Sequence, residues 1–141
     1  MCGIIAYTGQ KQALPILLEG LRRLEYRGYD SSGIALQSRK KLRVTKKAGK
    51  LSVLESKLTS TTKSNSGIGH TRWATHGEPN DSNAHPHVDG DARIAVVHNG
   101  IIENATTIRA QLLANGTVLT CLLYTSPSPR DATLSRMPSS A

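Results

Sequence analysis

The chain predicts an α+β fold, and two observations predict it. Short apolar or alternating runs outnumber stretches with apolar residues at three- and four-residue spacing. The two kinds do not alternate strictly along the chain, as a doubly wound parallel sheet requires. Hydrophobic residues make up 38% and aromatics 4%, with no Phe, which supplies a core of Leu, Ile, Val and Ala. A length of 141 residues suits one domain or part of a larger one.

The elements follow in order. Residues Gly3 to Tyr7 form an apolar run closed by Thr8-Gly9, a short buried strand. Leu14, Leu17, Leu18, Leu21 and Leu24 recur at helical spacing, which predicts an amphipathic helix over Ala13 to Leu24 with Pro15 in its first turn. It stops near Arg27-Gly28. Strands are predicted at Gly33 to Gln37 and Leu42 to Lys47, then a short helix at Leu51 to Leu58 and a polar loop from Thr59 to Ser66. A strand near Ile68 to Arg72 delivers Arg72-Trp73-Ala74-Thr75-His76-Gly77 at its end. The stretch Asn80 to Gly90, rich in Asn, Asp, His and Pro, reads as a long loop. A strand over Arg93 to His98 and a helix over Asn104 to Ala114, stopped by Asn115-Gly116, complete the pattern. Beyond it the periodicity ends: 125–141 holds ten Ser, Thr or Pro in seventeen positions. One domain over 1–119 is the expected organisation, followed by a disordered tail over 120–141 whose Leu122 to Asp131 stretch resembles a translated sequencing-adapter read-through and is expected to be non-native.

The formal charge of +8 raises nucleic acid as a partner. Seven of the eighteen Lys and Arg lie between Arg39 and Lys50, and without them the charge falls to +1. Their alternation with Leu42, Val44 and Ala48 reads as the solvated face of a hairpin. No aromatic side chain is interleaved to stack bases, so a basic binding module through residues 39–50 is the weaker reading. Two cysteines, Cys2 and Cys121, make no disulfide framework and suit a reducing compartment. No run approaches the roughly 20 apolar residues of a membrane span. The chain is expected to be cytoplasmic, with no membrane and no nucleic-acid partner.

Cys2 stands directly after Met1. With Met1 removed, a thiol and a free α-amine share one residue. A thiol ordinarily ionises near pH 8.5 and an α-amine at roughly 7.7–8, so near neutrality the amine can take the thiol's proton. A cysteine is also, more commonly, a small buried apolar residue. Asn99-Gly100 read alone is a hairpin turn signal. His70, His76, His85, His87 and His98 raise a metal site, but no cysteine or carboxylate stands at a familiar ligand spacing. They read as loop and strand-end hydrogen bonders, with no metal and no cofactor.

Four blocks in order carry a resemblance: Cys2-Gly3-Ile4; Leu24 to Gly33 (LEYRGYDSSG); His70 to Gly77 (HTRWATHG) with Asn83 to His87 (NAHPH); and His98 to Asn104 (HNGIIEN). Over 1–119 the chain resembles the N-terminal glutaminase domain of the glutamine–fructose-6-phosphate aminotransferase family. The resemblance implies an N-terminal nucleophile hydrolase, a four-layer α-β-β-α sandwich that is incomplete here. It implies glutamine hydrolysis through a thioester on Cys2, with ammonia passed to isomerase domains that act on fructose 6-phosphate. Asn99 and Gly100 match the family's oxyanion donors, and Arg72 the clamp on the substrate's α-carboxylate. Thr75 and His76 match the pocket lining, Trp73 the gate of the ammonia channel, and Arg27 and Gly28 supports near the nucleophile. The glutaminase domains of amidophosphoribosyltransferase and asparagine synthetase share this chemistry, but their version of the Arg27-Gly28 block differs. The family's aspartate partner for the α-amino group falls where this chain enters its Ser/Pro tail, and Asp131 does not inherit the role. The chain as given is expected to be inactive alone, and the parent enzyme to be a homo-oligomer.

Overall fold

The computed structural model describes residues 2–38, 41–59, 62–74, 78–100 and 102–118. The predicted tail from 120 onward lies outside them. Four strands form one antiparallel sheet: β1 (Gly3–Thr8), β2 (Ser31–Ser38), β3 (Lys41–Ala48) and β4 (Ser66–Arg72), in the order β1-β4-β2-β3. The helix α1 (Ala13–Leu24) links β1 to β2 through a short 3-10 turn at Glu25–Arg27, and α2 (Leu51–Lys57) links β3 to β4. Strands β5 (His87–Val88) and β6 (Ala95–Val96) pair by themselves, and α3 (Ala105–Ala114) follows.

The register explains how the sheet uses its two faces. Gly69 lies opposite both Ile5 and Ile34, and Gly67 opposite Tyr7 and Leu36. These residues face α1, whose Ala13, Leu17 and Leu21 are fully buried at four-residue spacing. Ile34, Leu36, Leu51 and Leu54 close the same core. At Gly67 a β-carbon would stand 2.9 Å from a methyl of Leu17, so the small residues of β4 set how closely the helix seats. An ion pair from Arg22 to Glu55, 2.7 Å, ties α1 to α2.

The other face carries Ile68, His70 and Arg72 of β4, because side chains alternate along a strand. Residues 83–87 lie against its centre, where the His85 ring stacks on His70 and Lys46 reaches the Ala84 carbonyl. They come this close because position 33 is glycine: a β-carbon there would lie 2.1 Å from the His85 carbonyl oxygen. Helix α1 therefore packs on one face of the sheet and the 83–87 segment on the other, within the α+β class that the sequence predicts.

Two regions differ from the sequence reading. The strand expected over Arg93 to His98 contracts to Ala95–Val96. Asp89 Oδ1 accepts hydrogen bonds from the Arg93 and Ile94 main-chain N–H groups at 2.7 and 2.8 Å, which bends those residues into a turn. The polar loop before β4 is an anchor: Ser64 is 5% exposed, and its Oγ lies 2.6 Å from the Gln37 carbonyl and 2.7 Å from the Ser66 carbonyl, its one proton serving either acceptor. The Ser64 carbonyl accepts the first helical N–H of α1, from Ala13, at 2.7 Å.

Candidate active site

The site forms where β1 begins and β4 ends, since an antiparallel pair brings those ends together. Gly3 lies opposite Thr71, so Cys2 falls opposite Arg72. The Trp73 main-chain N–H donates to Cys2 Sγ at 3.3 Å, and the thiol lies 3.8 Å from the Trp73 carbonyl. Arg72 is 4% exposed on the face that carries His70. Asp30 holds the strand exit from both sides: its N–H donates to the Arg72 carbonyl at 2.8 Å, and its carboxylate accepts the Ala74 N–H.

Gly28 supports this corner. Its φ of 73° lies in the left-handed region, and a β-carbon there would come within 3.0 Å of the Trp73 ring. Trp73 itself is 48% exposed. Arg27 lies further out, its guanidinium over the Tyr26 ring at 5.7 Å. The structure thus groups Cys2, Gly28, Arg72 and Trp73, while Arg27 stands at the rim. Thr75 and His76 lie outside the described residues.

Asn99 and Gly100 reach this face by way of histidines. His70, 1% exposed, meets Asn99 Oδ1 through its Nε2 at 2.6 Å. Along a strand, residues two apart lie on one face about 7 Å from each other, which is the step from His70 to Arg72. The His70 ring stacks on His85 with centroids 4.3 Å apart, and His85 meets His87 edge-on at 4.3 Å. The His98 N–H donates to His85 Nδ1 at 3.4 Å. Gly100 lies beneath the His98 ring, where a β-carbon would approach Nε2 to 3.0 Å.

Burial keeps these imidazoles neutral. It lowers His70 to about 4, an effect that the hydrogen bond to Asn99 partly offsets, and lowers His87 to about 4. His85 falls to about 2, first through burial and then through the charges of its neighbours His70, His87 and Arg72. Among the described residues no group of three His, Cys, Asp or Glu has the geometry to hold a metal ion.

The basic strand takes part in this architecture. Lys46 Nζ donates to the Ser82 and Ala84 carbonyls at 3.0 and 2.9 Å. Lys47 pairs with Asp81, whose other oxygen accepts the Ala48 N–H at 2.8 Å. Two cations of the expected solvated face therefore fasten the loop that carries His85. The sequence did not reveal this bracing role; the two-residue step from His70 to Arg72 was the available signal that both share the face of the site.

No protein-family model matches the chain. It is 56% identical over 120 residues to a glutamine--fructose-6-phosphate aminotransferase [isomerizing] of Tropheryma whipplei, covering 82% of this chain and 20% of that protein. A Thermus thermophilus protein of the same name is 55% identical over 117 residues, covering 82% of this chain and 19% of its own length. The chain thus spans about a fifth of the length of the curated relatives it matches. Among solved structures it is similar to the glutamine phosphoribosylpyrophosphate amidotransferase of B. subtilis complexed with ADP and GMP. The TM-score is 0.72 at 26% identity, over 100% of this chain and 30% of that one. A structure titled as the allosteric regulatory enzyme of purine biosynthesis matches with TM-score 0.73 at 28% identity, over 86% of this chain and 27% of that one. The fold is that of the N-terminal nucleophile type of glutamine amidotransferase domain. Among the described residues, no helix is long and apolar enough to cross a membrane.

Proposed function

The chain belongs, over the matched four-fifths of its length, to the glutamine–fructose-6-phosphate aminotransferase family, and from that membership we propose that it carries the glutamine-hydrolysing chemistry. The observation that carries the reading is the position of Cys2, its sulfur against the Trp73 main chain and opposite the buried Arg72.

Cys2 Sγ attacks the side-chain amide carbon of glutamine, and the carbonyl electron pair moves onto oxygen. The Asn99 side-chain amide and the Gly100 N–H stabilise that oxyanion; loss of one such donor typically costs about 10²–10³ in rate. Collapse breaks the carbon–nitrogen bond as the nitrogen takes the proton that the Cys2 α-amine removed from the thiol. Ammonia leaves, a γ-glutamyl thioester remains on Cys2, and water releases glutamate. The Arg72 guanidinium receives the α-carboxylate with two parallel hydrogen bonds. Thr75 and His76 add polar contacts, and Trp73, seated on Gly28, gates the path of ammonia, with Arg27 a support at the rim. Ammonia then serves amino-sugar formation from fructose 6-phosphate in domains that the 141 residues do not contain.

This reading is supported by the shared face of Cys2, Arg72 and His70, and by the relatives' names. The isolated chain is expected to release no ammonia from glutamine. Joining residues 1–118 to the remainder of the Thermus thermophilus relative gives a full-length enzyme expected to release it. In that enzyme Cys2→Ala abolishes release; unchanged release would overturn the assignment.

A further inference from the structure

The sequence singled out two motifs that the proposed chemistry leaves unused, the Asn83-Ala84-His85-Pro86-His87 run and the basic strand β3. The structure connects both to Asn99. Asn99 Oδ1 has only lone pairs to offer, so the 2.6 Å contact requires that His70 Nε2 carry the proton. In a neutral ring Nδ1 is then bare, and Nδ1 is indeed buried with no hydrogen-bond partner. The main-chain N–H of His98 can only donate, so His85 Nδ1 is bare as well and its proton lies on Nε2. One histidine thus holds the Asn99 side chain by its oxygen, while its stacking partner holds the main chain one residue earlier.

We infer that His70 is a positioning residue for the oxyanion site. It binds Asn99 Oδ1 and thereby turns the Asn99 NH₂ group towards the substrate, with His85 stacked behind it as the brace. This inference rests on the reading of Asn99 given under "Proposed function". A carboxamide held by its oxygen cannot flip; one left free can present oxygen to the developing anion, which would repel it. The brace is fastened further back. Gly33 admits the His85 backbone against the sheet, and Lys46 holds the Ser82 and Ala84 carbonyls on the approach. The charged and titratable groups that act on the stack are Arg72, Lys46, His87 and His98, and all of them favour neutral rings at His70 or His85. In that state His85 Nδ1 remains an acceptor.

Two measurements test this. Long-range ¹H–¹⁵N spectra of the 141-residue chain at pH 7 should show His70 and His85 both protonated at Nε2 with bare Nδ1; an Nδ1–H tautomer at either would overturn the clamp. In the full-length fusion, His70→Leu keeps the bulk and removes the donor. It should lower kcat per folded molecule about 10²-fold, the scale of one lost oxyanion donor, and leave KM for glutamine nearly unchanged. His70→Gln, which returns an N–H donor, should recover most of that loss. Equal loss in both variants, or a loss confined to KM, would overturn the positioning role. Retained turnover in Cys2→Ala would instead overturn the proposed chemistry, while the spectra still decide the histidine arrangement.

Discussion

The two faces of the four-stranded sheet draw on the same strands and are built on opposite principles. In β4, Gly67, Gly69 and Thr71 turn towards α1, whereas Ile68, His70 and Arg72 turn towards the site. The first face is closed by Leu17, Leu21, Leu51 and Leu54, all 2% exposed or less. The second buries imidazoles and a guanidinium, groups that must find partners or lose their charge when water is removed. A single alternating strand therefore supplies stability on one side and the proposed chemistry on the other. The difference is measurable, because apolar burial ignores mild acid and neutral buried histidines do not.

The largest contrast lies in pH. His70, His85 and His87 are held well below the ordinary value of 6.5, so the unfolded chain binds protons that the folded chain refuses. Stability is fully present above about pH 6.5 and falls as pH drops towards the folded values. Each histidine contributes a slope of up to about 1.4 kcal/mol per pH unit. Asp81, held down by Lys47 and the Ala48 N–H, and Asp89, held down by main-chain N–H groups, act only at lower pH. Thermal unfolding followed by circular dichroism should therefore show a melting temperature that falls steadily between pH 6.5 and 5. A flat melting temperature across that window would break the comparison.

The apolar face gives the next effect. Leu21→Ala removes a fully buried side chain beside Gly69 and should cost about 2–5 kcal/mol, equally at pH 7.5 and pH 6. Denaturant titration at both values checks it; a pH-dependent cost would mean that the faces are coupled.

The smallest effect concerns the loop fastening. The Lys47 and Asp81 side chains are 35% and 47% exposed, so Asp81→Asn should cost no more than about 1 kcal/mol. Salt screens an exposed pair, so the cost should shrink in high salt. A larger loss would show that the fastening governs how His85 seats.

These contrasts also explain what was legible in the sequence. The α1 face announced itself because helical spacing of leucines is a local signal, and α1 spans the predicted Ala13 to Leu24. Cys2, Arg72, Trp73 and Gly28 were legible as motifs, and the strand register brings them to one corner. The polar face was not, because the His70–His85 stack depends on a loop landing on Gly33 from fifty residues away, and no spacing encodes that approach. The strand predicted at Arg93 to His98 shortens to Ala95–Val96 for a related reason. Its alternation was genuine, but among the described residues its partner strand is two residues long, and Asp89 takes the amides that would have extended the ladder.

Asp30 joins the turn after α1 to the exit of β4, accepting from Ala74 and donating to the Arg72 carbonyl. With Gly28 packed under the indole, the two connections form one plate rather than two independent flaps. A backbone movement at Trp73 therefore drags the Gly28–Asp30 corner with it. Under the proposed roles, the Trp73 gate and the Arg72 clamp would then move together, because the residue whose carbonyl anchors that plate is Arg72.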